Sequence, residues 1–86
     1  MGDYSNTALA DIDVEALAER GRRIYAQKYQ AEFEKKYRDK FAEIDLDTEK
    51  AYVGDTEHAA WAVAHKDAPN GFFYTVRIGY DVVHRL

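Results

Sequence analysis

Residues 39–56 read DKFAEIDLDTEKAYVGDT, and after Asp39 the period of the hydrophobic residues changes to two. Apolar residues occupy every second position from Ala42 to Leu46, with acidic residues between them, which is typical of a strand with one buried face. Residues 47–50 predict a turn, and residues 51–53 predict a short return strand. The stretch therefore predicts a β-hairpin.

The strongest helical signal in the chain lies upstream of the hairpin. From Val14 to about Arg38 good helix formers dominate, only Gly21 disfavours a helix, and Asp13 is the expected N-cap. An aromatic stripe recurs every four residues along this segment, at Tyr25, Tyr29, Phe33 and Tyr37. Because an α-helix turns once in 3.6 residues, such a stripe drifts by about 40° per step, along a helix longer than short strands can cover. We therefore expect a second copy of the chain to cover part of the stripe.

Downstream of the hairpin the sequence predicts a second helix and a final strand. Asp55 or Thr56 is the expected cap of a helix over about residues 57–66. Residues 68–71 (Ala-Pro-Asn-Gly) stop that helix, and alternation over residues 72–80 predicts the last strand. The small apolar face of the helix consists of Ala60, Val63 and Ala64.

These elements predict an α+β domain in which a long N-terminal helix is followed by a β-β-α-β unit. A right-handed crossover places the third strand beside the first and antiparallel to it, in a three-stranded sheet of order 2-1-3. Residues 1–12 are polar and aperiodic, and are predicted to be a flexible leader, whereas residues 13–86 form the single domain.

Composition narrows the classes of protein to which the chain can belong. The 86 residues allow one modest core, and an aromatic content of 14% disfavours disorder. The lack of cysteine excludes disulfides, thiolate metal sites and a cysteine nucleophile, and favours the reducing cytoplasm. Residues 1–10 lack the basic and apolar regions of a signal peptide, and no apolar run approaches the ~20 residues of a membrane span.

The net charge of −4 conceals two oppositely charged segments. Residues 20–40 hold eight basic and three acidic residues, a net charge of +5, whereas residues 41–67 carry −5. Tyrosines interleave with the basic residues, so the segment could follow a nucleic-acid backbone, although the acidic chain as a whole argues against non-specific binding. The same residues would also solvate the helix or pair with the acidic hairpin. The candidate nucleic-acid contacts are Arg20, Arg22, Arg23, Lys35 and Lys36.

Three stretches of the chain resemble a group of short bacterial proteins of unknown function. They are residues 41–45 (FAEID), residues 52–56 (YVGDT) and residues 69–80 (PNGFFYTVRIGY). Those proteins have a helix, a KFVAID…GEYFVGDT hairpin, an Ala-rich helix and a PDGLFYLVRIGY strand, and the match runs from about Ile24 to the C-terminus. This resemblance implies the same fold, and a gene arrangement like that of an antitoxin beside its toxin. The chain departs from the pattern at Glu43, His58 and Trp61.

The predicted second helix carries a ring-bearing face formed by His58, Trp61 and His65. The two histidines are seven residues apart, which is too far for one metal ion, since the usual helical spacing is four residues. The face is therefore either a protein contact centred on Trp61 or packing at the edge of the core. No metal or cofactor is predicted.

Acidic residues of the hairpin resemble the start of a calcium loop but lack its central glycine and closing glutamate. These residues, Asp45, Asp47 and Glu49, are therefore expected on a solvated strand face. Arg77 is a single charge on an apolar strand, and it is expected to pair with Glu43 or Asp45 if buried. No nucleophile motif or phosphate loop occurs, so the chain is not predicted to be an enzyme.

The sequence thus predicts a non-catalytic protein-interaction module that self-associates through its aromatic-striped helix, in an antitoxin-like or inhibitor-like role. Aromatic residues suit interface centres because they bury a large area and keep a polar handle. The alternative is a nucleic-acid-binding accessory protein that uses residues 20–40. The predicted interface residues are Tyr25, Tyr29, Phe33, Tyr37, Trp61 and Tyr80.

Overall fold

The structure, a computed structural model, describes residues 13–80. Two helices of the described region begin at a residue whose side chain accepts hydrogen bonds from N–H groups of the first turn. The Asp13 carboxylate accepts from the N–H groups of the second and third helical residues at 3.0 and 3.2 Å, and the Thr56 hydroxyl accepts from Ala59 N–H at 3.0 Å. In chain order the elements are α1 (Val14–Ile24), a π-helical turn (Tyr25–Tyr29), α2 (Gln30–Lys36), β1 (Phe41–Asp45), β2 (Ala51–Gly54), α3 (Glu57–Asp67) and β3 (Phe73–Arg77).

The three strands form one antiparallel sheet of order β2-β1-β3. In the central strand Glu43 lies opposite Tyr52 of β2 and opposite Thr75 of β3. The predicted α+β class, with a long helix before a β-β-α-β unit and strands in the order 2-1-3, is confirmed.

Helices cover both faces of this sheet. The first helical segment contacts β1 and β3 on one face, and α3 contacts β2 and β1 on the other. The alternation of side chains along each strand directs even-numbered residues of β1 and β3 toward the long helix. The main core cluster consists of Ile24, Tyr25, Phe33, Ala42, Ile44, Leu46, Tyr74, Val76 and Ile78.

Because β1 is covered on both faces, the prediction of a solvated acidic face is wrong for Asp45, and the prediction of a half-buried strand is wrong at Glu43. Glu43 is 3% exposed and Asp45 is 2% exposed. The Asp45 carboxylate accepts hydrogen bonds from the N–H groups of Asp47 and Thr48 at 2.8 and 3.1 Å. Asp45 therefore closes the hairpin turn, in the way that an aspartate caps a helix.

The aromatic stripe packs against the chain's own sheet. Tyr25 and Phe33 are buried, and Tyr29 and Tyr37 are half-buried against the same cluster. The N–H of Gln30 bonds to the carbonyl of Tyr25, which is the wider hydrogen-bonding step of a π turn. A π turn advances fewer degrees per residue than an α-helix, so it offsets part of the drift expected for a four-residue spacing. Self-association through the stripe stays a prediction.

Two details of the last strand differ from the expectation. β3 ends at Arg77 and not near Tyr80, because Gly79 adopts a φ of 93° and turns the chain. Arg77 is exposed and pairs with no carboxylate of residues 13–80: its guanidinium lies 4.2 Å from the Tyr80 ring centroid and 5.5 Å from that of Phe41. The register explains this, since Arg77 lies opposite Phe41.

The apolar face of α3 is narrower than predicted. Ala60 and Ala64 are fully buried against the sheet, but Val63 is 49% exposed. Ala60 and Ala64 are four residues apart, so they lie on the same face of the helix. Val63 is three residues from Ala60, and it lies at the side of that face. Within the described residues, no helix combines the length and apolarity that a bilayer crossing requires.

Tyr25→Phe is expected to leave the stability unchanged or to raise it by up to about 1 kcal/mol. The Tyr25 hydroxyl is buried without a hydrogen-bond partner among residues 13–80, and burial raises its pKa. Removing an unsatisfied hydroxyl removes its desolvation penalty and keeps the ring in place. Urea unfolding of the two proteins measures the difference. A loss above about 1 kcal/mol would show instead that this hydroxyl makes a stabilising hydrogen bond.

Candidate functional site

An open cleft of about 720 Å³ lies between α3 and β3, and we call it the α3–β3 groove. It exists because α3 contacts β2 and β1 and leaves the neighbouring face of β3 uncovered. Gly54 allows α3 to approach the sheet closely: a Cβ atom there would lie 2.3 Å from the backbone nitrogen of Ala60. The groove is lined by Glu43, Glu57, His58, Trp61, His65, Gly71, Phe72, Phe73 and Thr75.

A carboxylate and a hydroxyl from adjacent strands form the floor of the groove. The hydroxyl of Thr75 donates to both carboxylate oxygens of Glu43, at 2.9 and 3.0 Å. The Ile78 N–H donates to the Lys40 carbonyl, and the Leu46 N–H donates to the Phe72 carbonyl. Even-numbered residues therefore form the backbone hydrogen bonds between β1 and β3, and odd-numbered residues lie between these bonds. Glu43 and Thr75 are consequently a non-hydrogen-bonded pair, the kind whose side chains lie closest together.

The Glu43 carboxyl is held in an environment that disfavours its charge. Burial is the main cause that raises the pKa of this carboxyl, and the negative charge of Glu57 raises it further. The hydrogen bond from Thr75 and the interaction with His65 act in the opposite direction. Within residues 13–80 neither Glu43 nor Glu57 forms an ion pair with a lysine or arginine. The floor of the groove therefore holds a buried carboxyl without a cationic partner from the described part of the chain.

Stacked rings form the α3 wall of the groove. Trp61 lies between His58 and His65, with ring centroids 5.7 and 4.2 Å away and interplanar angles of 20° and 30°. The His65 ring continues the series to Phe73 of the sheet, at 5.0 Å. Trp61 and Phe72 are 47% and 60% exposed, so the groove offers aromatic surface to solvent.

The predicted interface residues fall into separate regions. Trp61 lines the groove, and Tyr80 is 48% exposed beyond the end of β3, beneath the Arg77 guanidinium. The stripe residues lie on the other side of the sheet, where the Tyr29 hydroxyl donates to the carbonyl of Glu49 at 2.6 Å. The structure thus brings Trp61 together with His58 and His65, as predicted, but separates it from the stripe.

Six groove residues were missed by the sequence analysis as members of a site: Glu43, Glu57, Gly71, Phe72, Phe73 and Thr75. The predicted strand order already placed β3 beside β1, but the register that pairs Glu43 with Thr75 depends on the turn geometry. A glutamate where the resembling proteins have a small residue was the one available signal. The sequence pattern predicted a strand with one buried face, whereas α3 packs on its second face.

The candidate nucleic-acid contacts mostly engage other groups of the chain. Arg20 donates to the Leu46 carbonyl at 2.8 Å, and both Arg22 and Arg23 lie against the Glu19 carboxylate. Lys36 pairs with Glu32 at 2.9 Å, whereas Lys35 is exposed and pairs with no carboxylate of the described region. Exposed ion pairs of this kind contribute little free energy, so nucleic-acid binding stays a prediction.

Within residues 13–80, no group of three His, Cys, Asp or Glu side chains is placed to hold a metal ion. The rings of His58 and His65 are separated by that of Trp61. The Nδ1 atom of His65 lies 3.1 Å from the Trp61 carbonyl, which fixes its ring against the wall.

Glu43→Gln is expected to raise the melting temperature at pH 7. The folded-state pKa of Glu43 is raised above its usual value of 4.5, so its stabilising contribution is complete below that pH and is lost as pH rises through the folded-state pKa. At pH 7 the buried charge opposes folding, whereas an amide keeps the shape without the charge. Each 1 kcal/mol gained corresponds to about 4–8 °C in a domain of this size.

Circular dichroism melts at pH 7 and pH 4 measure this effect. The gain should be present at pH 7 and should vanish at pH 4, where Glu43 itself is protonated. An equal or lower melting temperature of the variant at pH 7 would mean that the folded protein stabilises the charged carboxylate.

Comparisons of this chain with protein-family models, with curated proteins and with solved structures found no match. The resemblance to short bacterial proteins of unknown function stays a prediction. The functional conclusion therefore depends on the geometry of the groove.

Proposed function

We propose that this chain is a non-catalytic protein-interaction module that binds a partner protein in the α3–β3 groove. The observation that carries the proposal is the half-exposed ring of Trp61 in an open cleft, beside the exposed ring of Phe72. Aromatic side chains at such a site bury a large area at low entropic cost, and they are common among residues that dominate binding energy.

The polar groups of the groove support binding more than catalysis. The Thr75 hydroxyl is committed to Glu43, and the Nδ1 atom of His65 lies against the Trp61 carbonyl. These contacts hold the floor and the wall in fixed positions. A fixed surface suits recognition because little side-chain entropy is lost when a partner binds.

The finer features of the proposal are an antitoxin-like or inhibitor-like role and a cytoplasmic location. A small chain with an open groove suits a role in which it covers part of another protein. The cytoplasmic location is supported by the lack of cysteine in a domain of this size. Self-association through Tyr29 and Tyr37 is a separate proposal, supported by their half-buried rings, and light scattering measures it.

The experiment is capture from the native host with a tagged chain, with and without nuclease, at about 0.1 and 0.5 M salt. We expect a protein in stoichiometric amount that survives both nuclease and high salt, because an aromatic contact is less sensitive to salt than phosphate contacts. A variant with glutamine at Arg22, Arg23, Lys35 and Lys36 should capture the same protein. Recovery of nucleic acid alone, lost in that variant, would overturn the proposal and favour the basic segment 20–40.

A further inference from the structure

We propose that the α3–β3 groove receives a lysine or arginine side chain of the partner protein, with the Glu43 carboxylate as its counter-ion. This inference depends on the proposed function and adds the chemistry of the partner. The groove lining contains two acidic side chains, Glu43 and Glu57, and no lysine or arginine. Charge complementarity therefore favours a cationic group over a neutral or acidic one.

Among the groove side chains, Glu43 has the buried negative charge that a cationic partner would compensate. The residue is only 3% exposed, and it lines the cleft. Among residues 13–80 its carboxylate is hydrogen-bonded by the hydroxyl of Thr75 and forms no ion pair. A buried carboxylate can accept further hydrogen bonds, and a guanidinium or ammonium group supplies both the donors and the missing positive charge.

The walls of the groove suit the same ligand. The Trp61 and Phe72 rings line the cleft and are exposed to it, and aromatic faces attract cations as well as the apolar stem of a lysine or arginine. The chain already shows this type of contact, since its own Arg77 guanidinium lies 4.2 Å from the Tyr80 ring centroid.

The free edge of β3 provides a way to present this side chain. Because even-numbered residues of β3 bond to β1, Phe73 and Thr75 direct their backbone N–H and carbonyl groups away from it. Within residues 13–80, no strand pairs with this edge. An extended segment of the partner can add there as a further strand. Its residue opposite Thr75 would lie on the groove face, two strand spacings or about 9.6 Å from Glu43.

The test is a selection of displayed heptapeptides on the whole chain and on Glu43→Gln. Binding of the selected peptides is measured by the fluorescence anisotropy of a dye attached to the peptide, because Trp61 is the single tryptophan of the sequence and the same readout must serve Trp61→Ala. We expect enrichment of lysine or arginine at one fixed position, and affinity at least about tenfold weaker for Glu43→Gln. Replacing that peptide lysine by norleucine should weaken binding to the original chain by a similar factor and barely affect Glu43→Gln, as expected of an interacting pair.

Two outcomes would overturn the inference, and they differ in what they say of the proposed function. If selected peptides bind, lose affinity with Trp61→Ala, and show no preference for lysine or arginine, the groove is an interaction site without cation selectivity. If the selection yields no peptide whose binding depends on Trp61, both the cation inference and the proposed groove are overturned.

Discussion

Gly54→Ala is expected to destabilise the domain by about 3 kcal/mol or more, which lowers the melting temperature by roughly 12 °C or more. A Cβ atom at this position would lie 2.3 Å from the backbone nitrogen of Ala60 and 2.7 Å from the carbonyl carbon of Ala59. These are backbone atoms of α3, so they cannot move aside as the end of a flexible side chain can. The helix as a whole must shift away from β2.

Gly71→Ala is the matched control for this substitution. A Cβ atom there would meet the outer end of the Phe73 ring at 2.9 Å and a carboxylate oxygen of Asp45 at 3.1 Å. Side-chain adjustment relieves such contacts, so a much smaller loss of stability is expected. Thermal melts of both variants compare them directly. A Gly54→Ala protein as stable as the original would contradict the close packing of α3 on the sheet, and with it the shape of the groove.

Trp61→Ala is expected to weaken binding of the captured partner by about 30-fold or more. Hot-spot residues at the centre of an interface typically contribute 2 kcal/mol or more when truncated, and each 1.4 kcal/mol is a factor of ten. Trp61 is 47% exposed and packs between His58 and His65, so its loss removes the middle of the groove wall. Isothermal titration calorimetry with the purified partner measures the change.

Val63→Ala is the control on the same helix. Val63 is 49% exposed, close to the value for Trp61, but it does not line the groove. Its replacement should change the affinity less than about twofold, since truncating a residue outside the contact surface is nearly neutral. Equal losses for the two variants would indicate a general effect on α3. Unchanged affinity of Trp61→Ala would exclude the groove as the binding surface.

Local signals in the sequence were sufficient for the elements and their order. Asp13 and Thr56 act as N-caps, and the change of period after Asp39 marks the first strand. The right-handed crossover rule then placed β3 beside β1. The C-terminal end of β3 was predicted less accurately. The sequence pattern cannot show whether Gly79 forms a bulge within the strand or a turn of positive φ that ends it.

The hydrophobic pattern of the sequence could not predict the groove, because the groove forms between separate elements of the fold. Glu43 and Asp45 alternate with apolar residues and so resemble a solvated face, yet both are buried: α3 packs on that face of β1, and the hairpin turn closes around the Asp45 carboxylate. The aromatic stripe was similarly ambiguous: the π turn at Tyr25–Tyr29 alters the helical phase, and a four-residue aromatic spacing does not by itself locate such a turn. Trp61 was identified correctly as part of a ring-bearing face, but its neighbours from β3 required the sheet register.

An NMR titration of the ¹⁵N-labelled chain with the captured partner distinguishes binding in the groove from binding by the basic segment. We expect the largest shifts at the Trp61 indole N–H and at the backbone amides of Phe73 and Thr75, with small changes along α1. Shifts concentrated in the basic segment 20–40, with the groove signals unchanged, would contradict binding in the groove.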